Sequence, residues 1–475
     1  MTNHNSRKPL MGVLMIASPR FRYLGEGTEH GSYQERKGKE SRQLLQKLDF
    51  ADKIFPGIVY TREDMRAAVH AFKVNDVDMV FALFLSWSDD FAWIRFLRDM
   101  PEVPILFTAI TRAEPGFEDS MEEDRFVEFL SAGGLVGALE ASGSIRRFQR
   151  PMMYTMIGTM EPVVKKVRET ACAAKLRSAL RQTSFGLLPS YNEAMWSTYV
   201  DPYDLFLKVG PELRFLSVSG LEEEIEQIPK ERTLHAMNQI LDSYPSDGQI
   251  NEGKMFASVE ASLGLEEIAR HSGIELLVLN DIDETLMKKI GLRPGFTPCP
   301  GTEDVMVVPE GDLGGGLACY ILKKLSGGHV NFIEPFYIDK RTGLFAAGHA
   351  GPNDYTDPAS STILSIDARF AKSGYKHAGA PFAWNVFAPG EKTIVHISHA
   401  NGHFKMVCSL IDAVKTKHFL AGYSHGLFRS RIPAGEFFGK LVDAGVTQHY
   451  GITKGNYLNE LTILADMLDF DLTVI

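Results

Sequence analysis

Glu310-Gly-Asp-Leu-Gly-Gly-Gly-Leu-Ala-Cys-Tyr-Ile-Leu-Lys-Lys-Leu-Ser-Gly-Gly-His-Val-Asn-Phe-Ile-Glu334 opens and closes on a carboxylate. Each carboxylate follows an apolar, strand-like run, at 305–308 and 330–333. The segment between them has helical spacing, with Leu317, Tyr320, Ile321 and Lys324 on related faces. A strand–helix–strand unit of this kind can bring its two acids to one point. That is one way to build an oxygen-rich metal site or an acid/base pair. Gly311, Gly314, Gly315 and Gly316 would let backbone approach a ligand closely. Glu334 lies between Phe332-Ile333 and Pro335-Phe336, an apolar setting in which a carboxylate needs a partner, and a divalent cation suits two acids together.

Outward from this stretch, the chain changes texture. Before it, apolar runs expected to be strands (11–17, 55–60, 77–85 and 104–108) alternate with helical periodicity at 39–48, 61–75 and 93–100. This describes a doubly wound α/β domain over 1–157. The run 77–85 is almost wholly apolar, as a central parallel strand is. Ser86-Trp87-Ser88-Asp89-Asp90 follows it, where open α/β sheets collect ligands, but it reads as a loop and helix cap. Gly133-Gly134-Leu-Val-Gly137 lacks the GxGxxG spacing and reads as a turn. A second α/β domain is expected over 158–300, with strands at 185–188, 213–218 and 274–279 among helices at 159–181, 221–228, 232–241, 254–271 and 283–290. Gly291, Pro294, Pro298 and Pro300 mark its end. Over 301–475 the strands are separated by Gly, Pro, Asn and Asp, with pieces at 343–347, 393–398, 404–410 and 426–430. A closing helix at 457–468 and a strand at 471–475 complete a β-rich, barrel-like C-terminal domain. The expected fold class is therefore α/β: two Rossmann-like domains followed by a β-rich one.

The totals limit the function. A chain of 475 residues exceeds one ordinary domain, and 44% hydrophobic with 23% charged residues is a soluble globular composition. A net charge of −10 argues against a sequence-independent grip on nucleic acid. No apolar run reaches the roughly 18–20 residues that span a bilayer, and residues 1–9 lack a signal-peptide layout. Cys172, Cys299, Cys319 and Cys408 have no CxxC spacing and read as free thiols of a reducing, cytoplasmic setting.

Among the fourteen histidines, two stand out. His349 lies in Gly348-His-Ala-Gly351 and is a candidate hydrogen-bond partner for a substrate hydroxyl. His449, preceded by Gln448, opens the closing segment. His396, His399 and His403 read as structural or solvent-facing. No HExxH or Cys/His zinc pattern is present.

The 310–334 stretch resembles the segment of the L-fucose isomerase family that carries two metal-binding carboxylates. The run Gln448-His449-Tyr-Gly-Ile-Thr-Lys-Gly-Asn, with the helix and aliphatic strand after it, is similar to the closing histidine segment of that family and of the related L-arabinose isomerases. The resemblance is specific in these two motifs and only architectural over the first 300 residues. It implies Glu310, Glu334 and His449 as metal ligands, with Glu310 and Glu334 doubling as acid/base groups; His349 and Gln448 are the candidates for substrate contact. Glu334 stands where that family has the shorter Asp, and the spacing from Glu334 to His449 is shorter. The implied activity is metal-dependent aldose–ketose isomerisation of a pentose, 6-deoxyhexose or related sugar through an enediol(ate). Another metal-dependent sugar enzyme (an epimerase or lyase) and a non-catalytic sugar-binding protein are the alternatives. Oxygen-rich ligation with one imidazole suits Mn²⁺, with Mg²⁺ or Co²⁺ as substitutes. The expected partners are a small sugar and further copies of the chain in a trimer or hexamer, with no nucleic acid and no membrane.

Overall fold

A computed structural model describes residues 7–112, 121–248, 250–289, 295–302, 305–368, 371–373, 378–420 and 422–475. The chain divides into two compact units, Met1–Ala179 and Leu180–Ile475. The fold class expected from sequence is the one observed: parallel, Rossmann-like α/β sheets and an antiparallel, barrel-like region towards the C-terminus.

In the first unit, strands β1 (Leu10–Ile16), β2 (Asp52–Ile54), β3 (Ile58–Val59), β4 (Met79–Phe84), β5 (Ile105–Ile110) and β6 (Met153–Gly158) form a parallel sheet. Its order is β2-β1-β4-β5-β6, with β3 also against β1. Every residue of β4 is buried, as its unbroken apolar sequence requires. Helices Tyr33–Lys47 and Arg62–Val74 each start at a reciprocal capping box, Ser32 with Glu35 and Thr61 with Asp64. Such boxes satisfy N–H groups that the first turn would leave orphaned. The core gathers Leu14, Phe72, Phe84, Trp93 and Phe107, with Trp93 stacked on Phe96 at 5.3 Å.

Two sequence expectations in this unit resolve clearly. The 86–90 segment is a loop leading into helix Asp90–Asp99, and the Ser86 hydroxyl oxygen accepts a hydrogen bond from the Tyr33 hydroxyl. Of the 133–137 glycines only Gly133 lies in a turn, because helix Gly134–Phe148 begins at the next residue. A Cβ on Gly137 would collide with the Ser86 carbonyl oxygen, so the glycines exist for close helix–strand packing.

The second unit holds two sheets. Strands β7 (Ser184–Leu188), β8 (Glu212–Phe215), β9 (Leu276–Leu279) and β10 (Met306–Val308) form a parallel sheet in the order β10-β9-β7-β8. The boundary expected at 300/301 falls inside this unit, because β10 completes that sheet by pairing with β9. The boundary expected at 157/158 is displaced as well: helix Met160–Leu180 begins there, and the units divide near its end. Gly291 and Pro294 lie outside the described residues.

The second sheet comprises β11 (Val330–Ile338), β12 (Phe345–His349), β13 (Ser361–Ile366), β14 (Pro381–Val386), β15 (Gly390–Ala400), β16 (His403–Val414), β17 (Ser424–Ser430), β18 (Tyr450–Lys454) and β19 (Asp471–Val474). Six of these strands pair antiparallel in a closed ring, β17-β12-β11-β18-β15-β16, with β16 returning to β17. Closure removes the free edges that an open sheet exposes. Its interior is filled by Ile333, Ile394, Ile411, Phe428, Tyr450 and Ile452. Strands β13 and β14 extend it beyond β17, and β19 lies parallel on β16.

Helix Leu313–Ser326 is packed against both sheets. A Cβ on Gly314 would strike the Ile397 carbonyl of β15, one on Gly315 would enter the Phe332 ring, and one on Gly316 would press on Val278 and Val308. Gly314, Gly315 and Gly316, expected to let backbone approach a ligand, are therefore helical and serve the approach of the helix to its neighbours. Among the described residues no helix is long and apolar enough to cross a membrane.

Candidate metal centre

Three side chains from three separate segments converge in the second unit. Glu310 follows β10 and Pro309, His349 ends β12, and His449 immediately precedes β18. One ligating atom from each lies within 4.8 Å of the others. His349 Nε2 is 3.6 Å from Glu310 Oε1, and His449 Nε2 is 3.4 Å from Glu310 Oε2. These separations are too long for good hydrogen bonds. They match donors that share an ion: two ligand atoms each about 2.1 Å from one cation sit roughly 3.0–3.5 Å apart. Both imidazole side chains are fully buried, and neither Nε2 has a hydrogen-bond partner. A buried, unsatisfied nitrogen is costly, so two of them facing one carboxylate call for something between them.

The surrounding groups hold these atoms in place. Glu310 and Gly311 both adopt left-handed backbone, φ +65° and +67°, which turns the chain sharply out of β10. A non-glycine residue in that region is uncommon and tends to mark a functional position. The Glu310 N–H donates to Asp281 Oδ1 at 2.9 Å, fixing the turn. Asp312 does two jobs. One of its oxygens caps helix Leu313–Ser326 by accepting the Gly315 N–H at 2.8 Å, and the other lies 2.8 Å from His449 Nδ1. His349 Nδ1 donates to the Ala350 carbonyl. Each imidazole thus has its Nδ1 engaged, which leaves Nε2 aimed at Glu310, the arrangement of histidines that ligate metals. Phe332 packs against both rings, with centroids at 5.0 and 4.6 Å, and keeps the site dry on that side.

Electrostatics agree with this picture. Burial alone would raise the Glu310 carboxyl, but the two facing imidazoles hold it far below the usual carboxylate range. Burial would likewise lower His449, yet its hydrogen bond with Asp312 and the nearby Glu310 charge push it up to about 9. A divalent cation would take the place of that proton, so its uptake releases a proton at neutral pH.

The sequence-derived site residues are distributed as follows. Glu310 and His449 converge as expected, and His349, expected at a substrate hydroxyl, joins them as a third candidate ligand. Glu334, expected as a ligand, is not part of the converging group. It sits half-buried on β11 opposite Gly348, two residues after Phe332 and so on the same strand face. Its carboxylate has no hydrogen bond or ion pair among the described residues. Gln448 is exposed, with its amide 2.8 Å from the Met195 sulfur. His396, read as structural, is buried and donates from Nδ1 to the His449 carbonyl at 2.8 Å, while its Nε2 lies 3.4 Å from the Thr447 N–H. It therefore clamps the backbone on both sides of Gln448. His399 pairs with Asp204 at 2.8 Å, away from the centre, and all four cysteines are free thiols.

Sequence reading missed Asp281 and Asp312. Asp312 carried a usable signal, an Asp three residues ahead of a glycine that starts a helical period, which is an N-cap pattern. Asp281 carried none, since only the return of β9 beside β10 brings it near.

No protein-family model matches the chain, and no curated protein matches it. Solved structures that it resembles include an ABC transporter solute-binding protein from Burkholderia multivorans, 11% identical over 59% of this chain and 82% of that one, with a TM-score of 0.16. Another is a periplasmic solute-binding protein of an ABC transporter from Actinobacillus succinogenes with bound D-allose. It is 13% identical over 67% of this chain and 92% of that one, with a TM-score of 0.15. Scores this low carry no argument about function.

Proposed function

We propose that this chain is a metal-dependent aldose–ketose isomerase acting on a small sugar, with Glu310, His349 and His449 holding the cation. The observation that carries this reading is the meeting of two buried, unpartnered imidazole nitrogens with one carboxylate. The resemblance of the 310–334 and 448–456 segments to sugar isomerases supplies the reaction class. The donor set is one carboxylate and two imidazoles, where two carboxylates and one imidazole were expected from sequence. The second imidazole shifts preference away from Mg²⁺ and towards Mn²⁺ or Co²⁺. A cation held here would polarise a sugar carbonyl and its neighbouring hydroxyl as a Lewis acid.

The protein groups have separable roles. Asp312 and the Ala350 carbonyl keep His449 and His349 in the tautomer that presents Nε2. Glu334, uncommitted to any described partner and on the Phe332 face, is the group proposed to take the proton from carbon and return it to the neighbouring carbon, while the proton of the adjacent hydroxyl passes to the former carbonyl oxygen. Such acid/base assistance typically contributes about 10²–10⁴ in rate. Gln448, at the rim, is proposed to orient a substrate hydroxyl.

The test is metal content after dialysis against Mn²⁺, together with an NMR screen for ketose formation from pentoses, 6-deoxyhexoses and acidic sugars. Wild type is expected to retain about one Mn²⁺ per chain and to convert at least one sugar class. Glu310→Gln should lose both, and Glu334→Gln should keep the metal and lose conversion. Undiminished metal in Glu310→Gln, or no conversion by the metal-loaded wild type, overturns the reading.

A further inference from the structure

The other end of β18 presents a different problem. Lys392 of β15 and Lys454 of β18 are direct cross-strand partners. Partners in an antiparallel pair project to the same face, where like charges repel. Two residues along each strand lie Ile394 and Ile452 of the barrel interior, so both lysines lie on the interior face, at the barrel's mouth. Lys392 is only 6% exposed. Neither amine has a hydrogen bond or ion pair among the described residues. The Lys392 side chain is thus largely removed from water while lining the cavity beside Asp357, and a second ammonium placed opposite raises the cost of its charge. Desolvation accordingly holds the Lys392 amine below the ordinary lysine range.

Both lysines line a cavity of about 230 Å³, together with His329, Ser326, Ser360 and Asp357. His329, also on the wall, is paired with Asp354 at 3.0 Å, which raises its pKa and leaves that carboxylate engaged. Asp357, the one carboxylate on the wall among the described residues, is partly occupied by the Ala359 N–H at 2.9 Å. Mouths of β-barrels are recurrent ligand sites, and this volume is below the roughly 300–1,000 Å³ of pockets for drug-sized molecules. The occupant is therefore small.

The geometry points to a phosphate-binding site at the barrel mouth, in which a small phosphoryl anion bridges Lys392 and Lys454. Asp357 accepts the proton that hydrogen phosphate carries, a contact that sulfate cannot make at neutral pH. The site is separate from the metal centre: His449 and Lys454 are five residues apart along an extended strand, about 16 Å. It stands whether or not the isomerase reading holds.

The experiment is calorimetric titration and thermal denaturation of the full-length protein, in a buffer free of phosphate, against inorganic phosphate, glycerol phosphate and sulfate. Wild type should bind inorganic phosphate and melt higher in its presence. Binding of glycerol phosphate as well, strengthening as pH falls towards about 6 where its monoprotonated form can still donate to Asp357, identifies a phosphate ester as an acceptable source, and binding of inorganic phosphate alone identifies the free ion; either supports the site. Lys392→Gln should weaken phosphate at least tenfold, and the more exposed Lys454→Gln about threefold. Lys454→Gln should also melt higher than wild type without phosphate, because it removes the unneutralised repulsion. A folded Lys392→Gln that binds phosphate like wild type overturns the site. Sulfate binding as tight as phosphate overturns the phosphate assignment. Should Lys392→Gln fail to fold, Lys392→Arg takes its place: retained binding supports the site, and the absence of any phosphate-dependent shift in wild type and Lys454→Gln overturns it.

Discussion

The two ends of β18 make opposite demands with similar materials. At the His449 end, buried charges are surrounded by groups that answer them: Asp312 engages Nδ1, Asp281 holds the Glu310 backbone, and His396 fixes the His449 carbonyl. What is left over is a pair of nitrogens facing a carboxylate, a donor set that suits a cation once His449 gives up its proton. At the Lys454 end the surplus is positive, two ammonium groups on adjacent strands with no described partner. The contrast shows that a polar cluster is best interpreted by what remains after its internal partners are subtracted. The raw counts of histidine, lysine or carboxylate would not have separated the two.

The largest expected effect that can break this comparison is a steric one. Gly314→Ala sets a methyl against the Ile397 carbonyl and should cost about 1–3 kcal/mol by overpacking. Because it displaces the helix that carries Asp312, Mn²⁺ binding should fall with stability, while phosphate still raises the melting temperature. Loss of both responses together would show that the two ends are not independent. Next comes the metal itself. Mn²⁺ at a hundred times its dissociation constant should stabilise the second unit by about 2.7 kcal/mol. EDTA should reverse this, and Glu310→Gln should show no such gain in a thermal melt.

Asp312→Asn sharpens the same end more gently. It keeps the helix cap but weakens the acceptor opposite His449, so Mn²⁺ affinity measured by competition with a chelator should fall about 10–100-fold. Unchanged affinity would remove Asp312 from the site. The smallest effect lies at the lysine end, in the His329–Asp354 pair. His329 is raised by its bond to Asp354, so its contribution is complete below about pH 6.5 and disappears as pH rises through the elevated folded value. Burial would raise Asp354, but its bonds to His329 and Thr356 lower it overall, so its contribution is complete above about pH 4 and fades as pH falls further. The pair therefore helps most between about pH 4 and 6.5. With the imidazole more than a third exposed, the gain is screened to less than about 1 kcal/mol. Melting curves of His329→Gln against pH should differ from wild type in that window and converge above it.

Much of the α/β architecture was legible because buried parallel strands such as β4 and β9 are short apolar runs bounded by polar caps. Thr61 and Asp64 announced their helix in the same way. Strands β13 and β14 escaped because their alternation is interrupted by Ser, Thr, Pro and Asn, which satisfy local partners across the pair. In the candidate centre, Glu310 and His449 could be named from motif, whereas the joining of His349 depends on β12 returning beside β11. Glu334 illustrates the reverse case. Its apolar neighbours suggested a ligand, but strand alternation places Phe332 on the same face, and the aromatic ring takes the position against the imidazoles.

The three consecutive glycines of helix Leu313–Ser326 also bear on the order of events during folding. Each costs a helix about 1 kcal/mol relative to alanine, so this segment gains little from forming by itself. Its stability comes from the parallel sheet on one side and the barrel on the other, contacts that exist only once residues far apart in sequence have met. Asp312 reaches His449 by riding on that helix, across 137 positions of chain. The meeting of Glu310, His349 and His449 thus requires the assembled second unit, so retention of a cation there would report that assembly more faithfully than secondary structure does.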